Sequence, residues 1–335
     1  METTIIAMPL LIALIALALA FDFLNGLHDA ANSIATVVST RLLKPVHAVL
    51  FAAFFNFAAY WIFGLKVAET IGKGIIDADI VNPQVIFGAL VGAMFWNVVT
   101  WWKGIPSSSS HALVGGLIGA GVMRAGLDGI VWSGVLKTAS AIVLSPTIGM
   151  ILSILLVVMT SWIFLRATAK RAEGVFKKLH LVSSAAYSLG HGANDAQKTM
   201  GIITVLLYSQ GMLEGEFAVP EWVVLSCYVA IALGTLSGGW KIIETMGTRI
   251  TKLSHQQGFC ASSGGSVMLF AATAFGIPVS TTHTITGCVV GVGAARRASA
   301  VRWGVAGGVV IAWLITIPAS AAVGALFYWL TTIWG

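Results

Sequence analysis

Apolar runs long enough to cross a bilayer recur along the whole chain, and they exclude most folds at once. Ile5–Phe21, Val46–Phe63, Val85–Trp102, Ile142–Leu165, Trp222–Gly239 and Val305–Leu330 are all of the order of the roughly 20 residues that a spanning helix needs. In lipid every backbone N–H and C=O must find its partner within the protein, so only helices and closed barrels cross. A barrel would show alternating segments of about 10 residues, whereas these runs are continuous. The fold class is therefore all-α and polytopic, with about ten to twelve transmembrane segments. Composition agrees: 10% of residues are charged, against about a quarter in soluble proteins. The first run has no basic stretch before it and leads directly into polar FDFLNGLHD, which reads as a retained helix rather than a cleaved leader. Cys227, Cys260 and Cys288 are odd in number and apolar in context, so neither a disulfide framework nor a metal motif follows. The net charge of +6 is explained by basic cytoplasmic loops rather than by a nucleic-acid partner.

The chain also repeats itself. NGLHDAANSI (Asn25–Ile34) aligns without gaps to HGANDAQKTM (His191–Met200) at an offset of 166 residues. GIPSSSSHALVGGLIGAG (Gly104–Gly121) aligns to GIPVSTTHTITGCVVGVG (Gly276–Gly293) at an offset of 172. Two motifs in the same order with similar spacing define two homologous halves. We place the first transmembrane repeat at 1–165, a basic cytoplasmic linker at 166–180 and the second repeat at 181–335. Loop charge then assigns orientation. The linker RATAKRAEGVFKKLH is basic, as is TRLLK after the first motif, whereas the loop after its copy carries Glu214, Glu216 and Glu221. One span later the pattern swaps. Glu69, Asp77 and Asp79, mixed with Lys66 and Lys73, stand against Lys241, Arg249 and Lys252, while Arg296, Arg297 and Arg302 again mark the cytoplasm. Equivalent points face opposite sides, the pattern of inverted-topology repeats with broken or re-entrant helices.

The first motif pair offers cation chemistry. Asp29 and Asp195 are equivalent, and their neighbours trade places: Asn25 pairs with His191, and His28 with Asn194. Gly26 and Gly192 tolerate interruption of a helix. Carboxylates and amides brought together near the midplane can hold a small hard cation or relay a proton. One such polar residue alone would more simply hydrogen-bond between helices, but a matched ionisable set at membrane depth reads as functional. The second pair offers anion chemistry. Pro106 fits the first turn of a helix, and Ser107, Ser108, Ser109 and Ser110 then place hydroxyls at its positive end. Ser280, Thr281 and Thr282 do the same in the second half, and each set is followed by His111 or His283. The glycines after each set (Gly115, Gly119 and Gly121; Gly287, Gly291 and Gly293) read as stripes for close helix packing. Lys198 stands where the first half has Asn32, either as an ion pair with Asp195 or in the place of a coupling cation beside the anion.

NGLHDAANSIATVVSTR (Asn25–Arg41), GHGANDAQKTMGI (Gly190–Ile202) and the two GIP segments resemble the PiT family of inorganic phosphate transporters over essentially the whole chain. The resemblance implies import of inorganic phosphate by proton or sodium symport through alternating access, in a multi-pass prokaryotic plasma or inner-membrane protein that is not an enzyme. It implies no cofactor beyond the co-transported ion, lipid as surroundings, and a homodimer as one assembly. It implies that Asp29 and Asp195 are needed for transport and that Ser107–Ser110 and Ser280–Thr282 line the phosphate site, with Gln197 and Lys198 beside them. Coupling would fall to Asn25, His28, Asp29, Asn32, His191, Asn194 and Asp195, with sodium, where it is the ion used, at Asp29, Asn32, Asn194 and Asp195. Two departures matter. The first copy reads His28-Asp29 rather than Asn-Asp, and Gln197-Lys198 replaces the Ala-Asn more usual in a sodium-coupled pattern, which with the short linker leans toward a prokaryotic, proton-coupled branch. Sulfate or a metal–phosphate complex is the alternative cargo, although Asp29 and Asp195 favour an anion that can itself carry protons. An anion channel and an intramembrane hydrolase are the readings from other classes, the latter weakened by the lack of a G-x-S-x-G elbow.

Overall fold

The computed structural model describes residues 6–213 and 217–334; Glu214 and Glu216 lie outside them. Among the described residues there are twelve α-helices and no strand longer than an isolated bridge. The first six are α1 (Met8–Ser39), α2 (Pro45–Ala58), α3 (Lys66–Gly74), α4 (Pro83–Lys103), α5 (Ser109–Ala125) and α6 (Trp132–Ile163). The second six repeat the order: α7 (Ala169–Ser209), α8 (Glu221–Ser237), α9 (Trp240–Glu244), α10 (His255–Ala274), α11 (Thr281–Arg296) and α12 (Trp303–Trp334). Each set holds a long motif helix, a sharply bent pair, a straight helix, a short helix after GIP, and a long closing helix with an internal proline (Pro146 or Pro318). The bends are 85° between α2 and α3 and 68° between α8 and the α9 segment.

By length and apolarity alone four helices qualify as spans (α1, α4, α6 and α12), or six when each bent pair is one span. The ten to twelve segments expected from sequence compare with twelve α-helices among the described residues, of which length and apolarity together pick out the most continuously apolar. The reason is physical: α5 and α11 have only 17 and 16 residues, too short for a bilayer, and α7 is interrupted in its apolarity by the motif. The stretch at 166–180 is no free loop either. From Ala169 it forms the opening turns of α7, capped by the Thr168 hydroxyl, which accepts from the Arg171 N–H at 3.4 Å.

The equivalent helices α1 and α7 run antiparallel. The Ile6 N–H at the start of α1 donates to Gln210 Oε1 at the end of α7, at 2.9 Å. The last turns of α1 reach the opposite end, where Gly247 packs on the Ala35 carbonyl. Lys252, Arg296, Arg297 and Arg302 line one cleft at that end, and α6 finishes there, its Thr160 hydroxyl accepting from Gln256 Nε2 at 2.9 Å. Excess Arg and Lys at this end is the charge pattern of a cytoplasmic side. Two homologous helices traversing in opposite directions are the structural form of an inverted repeat.

The halves interlock rather than sit side by side. α6 packs on α10 and α11, and α12 packs on α4 and α5. The clasp is reciprocal in detail. Lys66 Nζ donates to the Ala274 carbonyl at 3.2 Å, and Lys241 Nζ to the Trp102 carbonyl at 3.0 Å. Thr70 Oγ1 donates to the Gly276 carbonyl at 2.7 Å, and Thr245 Oγ1 to the Gly104 carbonyl at 2.9 Å. Both recipients are glycines in the left-handed region (φ +66° and +68°) that end α10 and α4, where cations and donors suit the negative helix end.

Two sequence expectations need correction. Gly26 and Gly192 do not interrupt anything: α1 and α7 run straight through both motifs. Their lack of a side chain serves close approach instead, since a methyl group on Gly26 would overlap the Ile231 carbonyl of α8, and one on Gly192 the Asn56 carbonyl of α2. Pro106 is not in the first turn of a helix: α5 begins at Ser109, and the Pro106 carbonyl accepts from Trp313 Nε1–H at 3.2 Å. The glycine stripes do pack closely, Gly115 and Gly119 on α12 and Gly287 and Gly291 on α6. Gly26→Ala is expected to lower the melting temperature of the purified protein, because overpacking costs about 1–3 kcal/mol. Gly304→Ala, with open space around it, is expected to leave it unchanged or slightly higher in the same thermal-shift series.

Candidate functional site

The antiparallel crossing of α1 and α7 brings the two motif aspartates together. Ligand atoms of Asp29, His191 and Asp195 all lie within 4.8 Å of one another. The N-terminus of α11 is wedged between them. Thr281 Oγ1 lies 3.3 Å from Asp29 Oδ2 and 2.9 Å from Asp195 Oδ2, and Thr282 Oγ1 donates to Asp29 Oδ1 at 3.2 Å. Asn32 Nδ2 donates to both threonine hydroxyls, at 3.2 and 2.9 Å. All of these residues are buried, as are Ser107 to Ser110 and Ser280, none more than 5% exposed.

The short helices face one another across the same centre. Ser108 caps α5, accepting from the His111 N–H at 3.2 Å, and Ser280 caps α11, accepting from the His283 N–H at 3.1 Å. The His111 and His283 rings lie 4.6 Å apart, and Trp313 stacks on His283 at 3.8 Å. Each helix start carries unpaired N–H groups and about half a positive charge, so the two together form an electropositive lining. The buried Ser109 hydroxyl has no hydrogen-bond partner.

Each aspartate has an imidazole, from a different position in the motif. His28 Nδ1 is 2.8 Å from Asp29 Oδ1, with Thr100 Oγ1 at 3.1 Å and Ser107 Oγ at 3.5 Å from Nε2. His191 Nε2 is 3.1 Å from Asp195 Oδ2, with Nδ1 at 3.1 Å from Asn56 Oδ1. Asn56 is oriented by its own donation to Thr235 at 2.9 Å. Both His191 nitrogens therefore lie near oxygens, with the hydrogen bond completed at Nδ1 and not at Nε2.

Lys198 breaks the pseudo-symmetry. Its ammonium pairs with Asp195, donates to Ser110 Oγ and donates to the Val279 carbonyl at 2.9 Å. In this conformation its three donors go to the second aspartate motif and to both GIP segments. The counterpart Asn32 carries no charge, and its Oδ1 is buried without a partner.

Other expected residues lie further out. Gln197 caps α3, accepting from the Val67 and Ala68 N–H groups at 3.0 and 3.3 Å, and its amide donates to the Gly64 and Ala193 carbonyls. Asn194 holds the second GIP segment through Thr273 Oγ1, the Ile277 carbonyl and the Val279 N–H. Asn25 is buried one turn before Asp29, its Oδ1 unpaired. Sequence reasoning passed over Thr100, Asn56 and Asp22. Thr100 and Asn56 gave no signal, being single polar residues inside apolar runs. Asp22 did give one, a carboxylate in FDFLNGLHD two helical turns before Asp29.

A buried, charged, pseudo-symmetric centre at the crossing of two inverted repeats is how membrane transport proteins build a substrate pathway. The model of the phosphate transporter family matches residues 25–324. The chain is 65% identical over 328 residues to a probable low-affinity inorganic phosphate transporter of Rhizobium meliloti (strain 1021), covering 98% of each chain. It is 42% identical over 327 residues to the protein of the same description in Bacillus subtilis (strain 168), covering 97% of this chain and 98% of that one. A solved structure described as the sodium-dependent phosphate transporter superposes with a TM-score of 0.86 at 28% identity, over 97% of this chain and all of that one. The chain belongs to the phosphate transporter family. It is a multi-pass membrane protein, and the names of its relatives agree with a transporter rather than an enzyme.

Removing one partner of a buried ion pair costs about 3–5 kcal/mol. Asp195→Asn, which strands the Lys198 ammonium, is therefore expected to reduce the folded, monodisperse fraction on size-exclusion chromatography. Adding Lys198→Met, which removes the stranded charge, is expected to restore most of it.

Proposed function

We propose that the protein imports inorganic phosphate by symport with a proton or sodium ion, through alternating access of one centre at the crossing of its two repeats. The observation that carries this reading is the Thr281 hydroxyl within hydrogen-bonding distance of both repeat aspartates. One residue of an anion-suited helix end thereby joins both carboxylates. Phosphate would take the donors at the α5 and α11 N-termini, the hydroxyls of Ser107 to Ser110 and Ser280 to Thr282, and the Lys198 ammonium. Anion and carboxylates cannot share a low-dielectric site without added positive charge, and this requirement ties anion entry to cation entry. Lys198 already supplies one charge at Asp195. Asp29 has only His28 and neutral donors, so the coupling cation belongs on the Asp29 side, where the free Asn32 Oδ1 and the threonine oxygens add hard ligands.

With every ligand buried, the described conformation is closed to both sides, and transport requires α5 and α11 to be uncovered on one face and then the other. In liposomes loaded with an outward-to-inward proton gradient, or separately a sodium gradient, labelled phosphate is expected to accumulate above its equilibrium level, with unlabelled sulfate as competitor. Absence of accumulation under both gradients sinks the reading. Asp29→Asn is expected to abolish accumulation in folded protein. Lys198→Gln is expected to weaken apparent phosphate affinity and alter cation dependence, and unchanged values would leave Lys198 a structural ion pair only.

A further inference from the structure

Asp22 is completely buried in α1, and neither of its carboxylate oxygens completes a hydrogen bond. The polar side chains facing it are Thr199 of α7 and Asn25 one turn along α1. The Thr199 hydroxyl and Asn25 Oδ1 are themselves buried without partners, as is the hydroxyl of Tyr228 on α8. The charges that reach Asp22 are Asp195 and Lys198 of α7, and the ionisable neighbours on α8 are Cys227 and Tyr228. None of these neutralises it, since the Lys198 ammonium is spent on Asp195, Ser110 and Val279.

A lone carboxylate in such surroundings is not tolerated as a bare ion, and an ionisable residue at membrane depth marks an ion pathway by default. Asp22 has no acidic counterpart in the second repeat: the residue 166 positions on is Ser188, which bonds its own helix at the Ser184 carbonyl. The orphaned groups are all oxygens, the ligand set of a small hard cation rather than of an anion. We propose that Asp22, with Asn25 and Thr199, forms a second cation site, which takes a proton or a sodium ion and lies along α1 from the Asp29–Asp195 centre. The crossing of α1 and α7 places it on the Gln210 side of that centre, the end opposite the basic cleft, so it stands on the route of a cation entering from outside. Its role in coupling rests on the symport reading, whereas the binding itself does not.

Infrared difference spectroscopy on purified, reconstituted full-length protein tests the binding. Two series are run on wild type and Asp22→Asn: a pH series in choline salt, and a sodium series at fixed pH. The expected result is a carboxyl signal that responds to one titrant in wild type and is missing from Asp22→Asn. A protonated C=O band that responds to pH assigns a proton, and a carboxylate shift that follows sodium assigns sodium. Identical difference spectra for the two proteins in both series overturn the proposal. Gradient-driven phosphate uptake tests the role. Asp22→Asn is expected to lose roughly tenfold in accumulation, within the usual range of coupling between linked sites, with a flattened dependence on the driving cation; wild-type accumulation by the variant overturns the coupling role. Wild type that fails to take up phosphate refutes the symport reading, and the infrared result still decides the site. Should Asp22→Asn fail to fold, Asp22→Ser, the residue of the second repeat, takes its place in both assays.

Discussion

Everything at the centre of this protein follows from two carboxylates held within reach of one threonine hydroxyl. Asp29 and Asp195 come from helices that begin at opposite ends of the molecule, and Thr281 touches both. In water two such groups would cost little, but in a buried site each demands positive charge or donors. The surrounding residues are that demand made visible: two imidazoles, the Lys198 ammonium, the Asn32 amide and two helix N-termini. The duplicated fold is what makes the arrangement economical. One motif pair, used twice in opposite directions, supplies both carboxylates and both helix ends, while the crossed packing of α6 and α12 holds the copies in register.

The two halves are alike in construction and unlike in charge. Lys198 makes the second half electrostatically complete, whereas the first half has Asn32 at the same position and a carbonyl oxygen left unpaired. A transporter with two equal half-sites would have no built-in preference for where its coupling ion sits. Here the proposed preference comes from one substitution between repeats. Under that proposal it is the residue opposite Asn32, rather than family membership alone, that decides on which side the coupling ion sits.

Much of this was legible before the structure. The apolar runs pointed to an all-helical membrane fold because lipid leaves no other choice, and the duplicated motifs singled out Asp29, Asp195 and the two hydroxyl segments, which the structure brings to one buried centre. What was not legible were properties that depend on distance between segments. Gly26 and Gly192 looked like helix breaks because local sequence cannot show that another backbone passes against them. Gln197 and Asn194 looked like ligands because they sit in the motif, yet helical geometry turns them toward α3 and the second GIP segment. Thr100 and Asn56, which orient the two imidazoles, are polar residues in runs whose apolarity hides them. Asp22 was in plain view, but its lack of a partner emerges only when the neighbouring helices are in place.

The reciprocal lysine contacts carry a mechanical consequence. Lys66, on the bent arm of the first half, grips the chain just before the second GIP segment, and Lys241 does the converse. Each half thus holds the other's anion-facing turn by a tether anchored outside the site. A bent arm that swings outward pulls on the opposite half's turn rather than its own. Under the proposed alternating access, movement of either arm is therefore transmitted to the other half, and the two halves cannot open independently of each other.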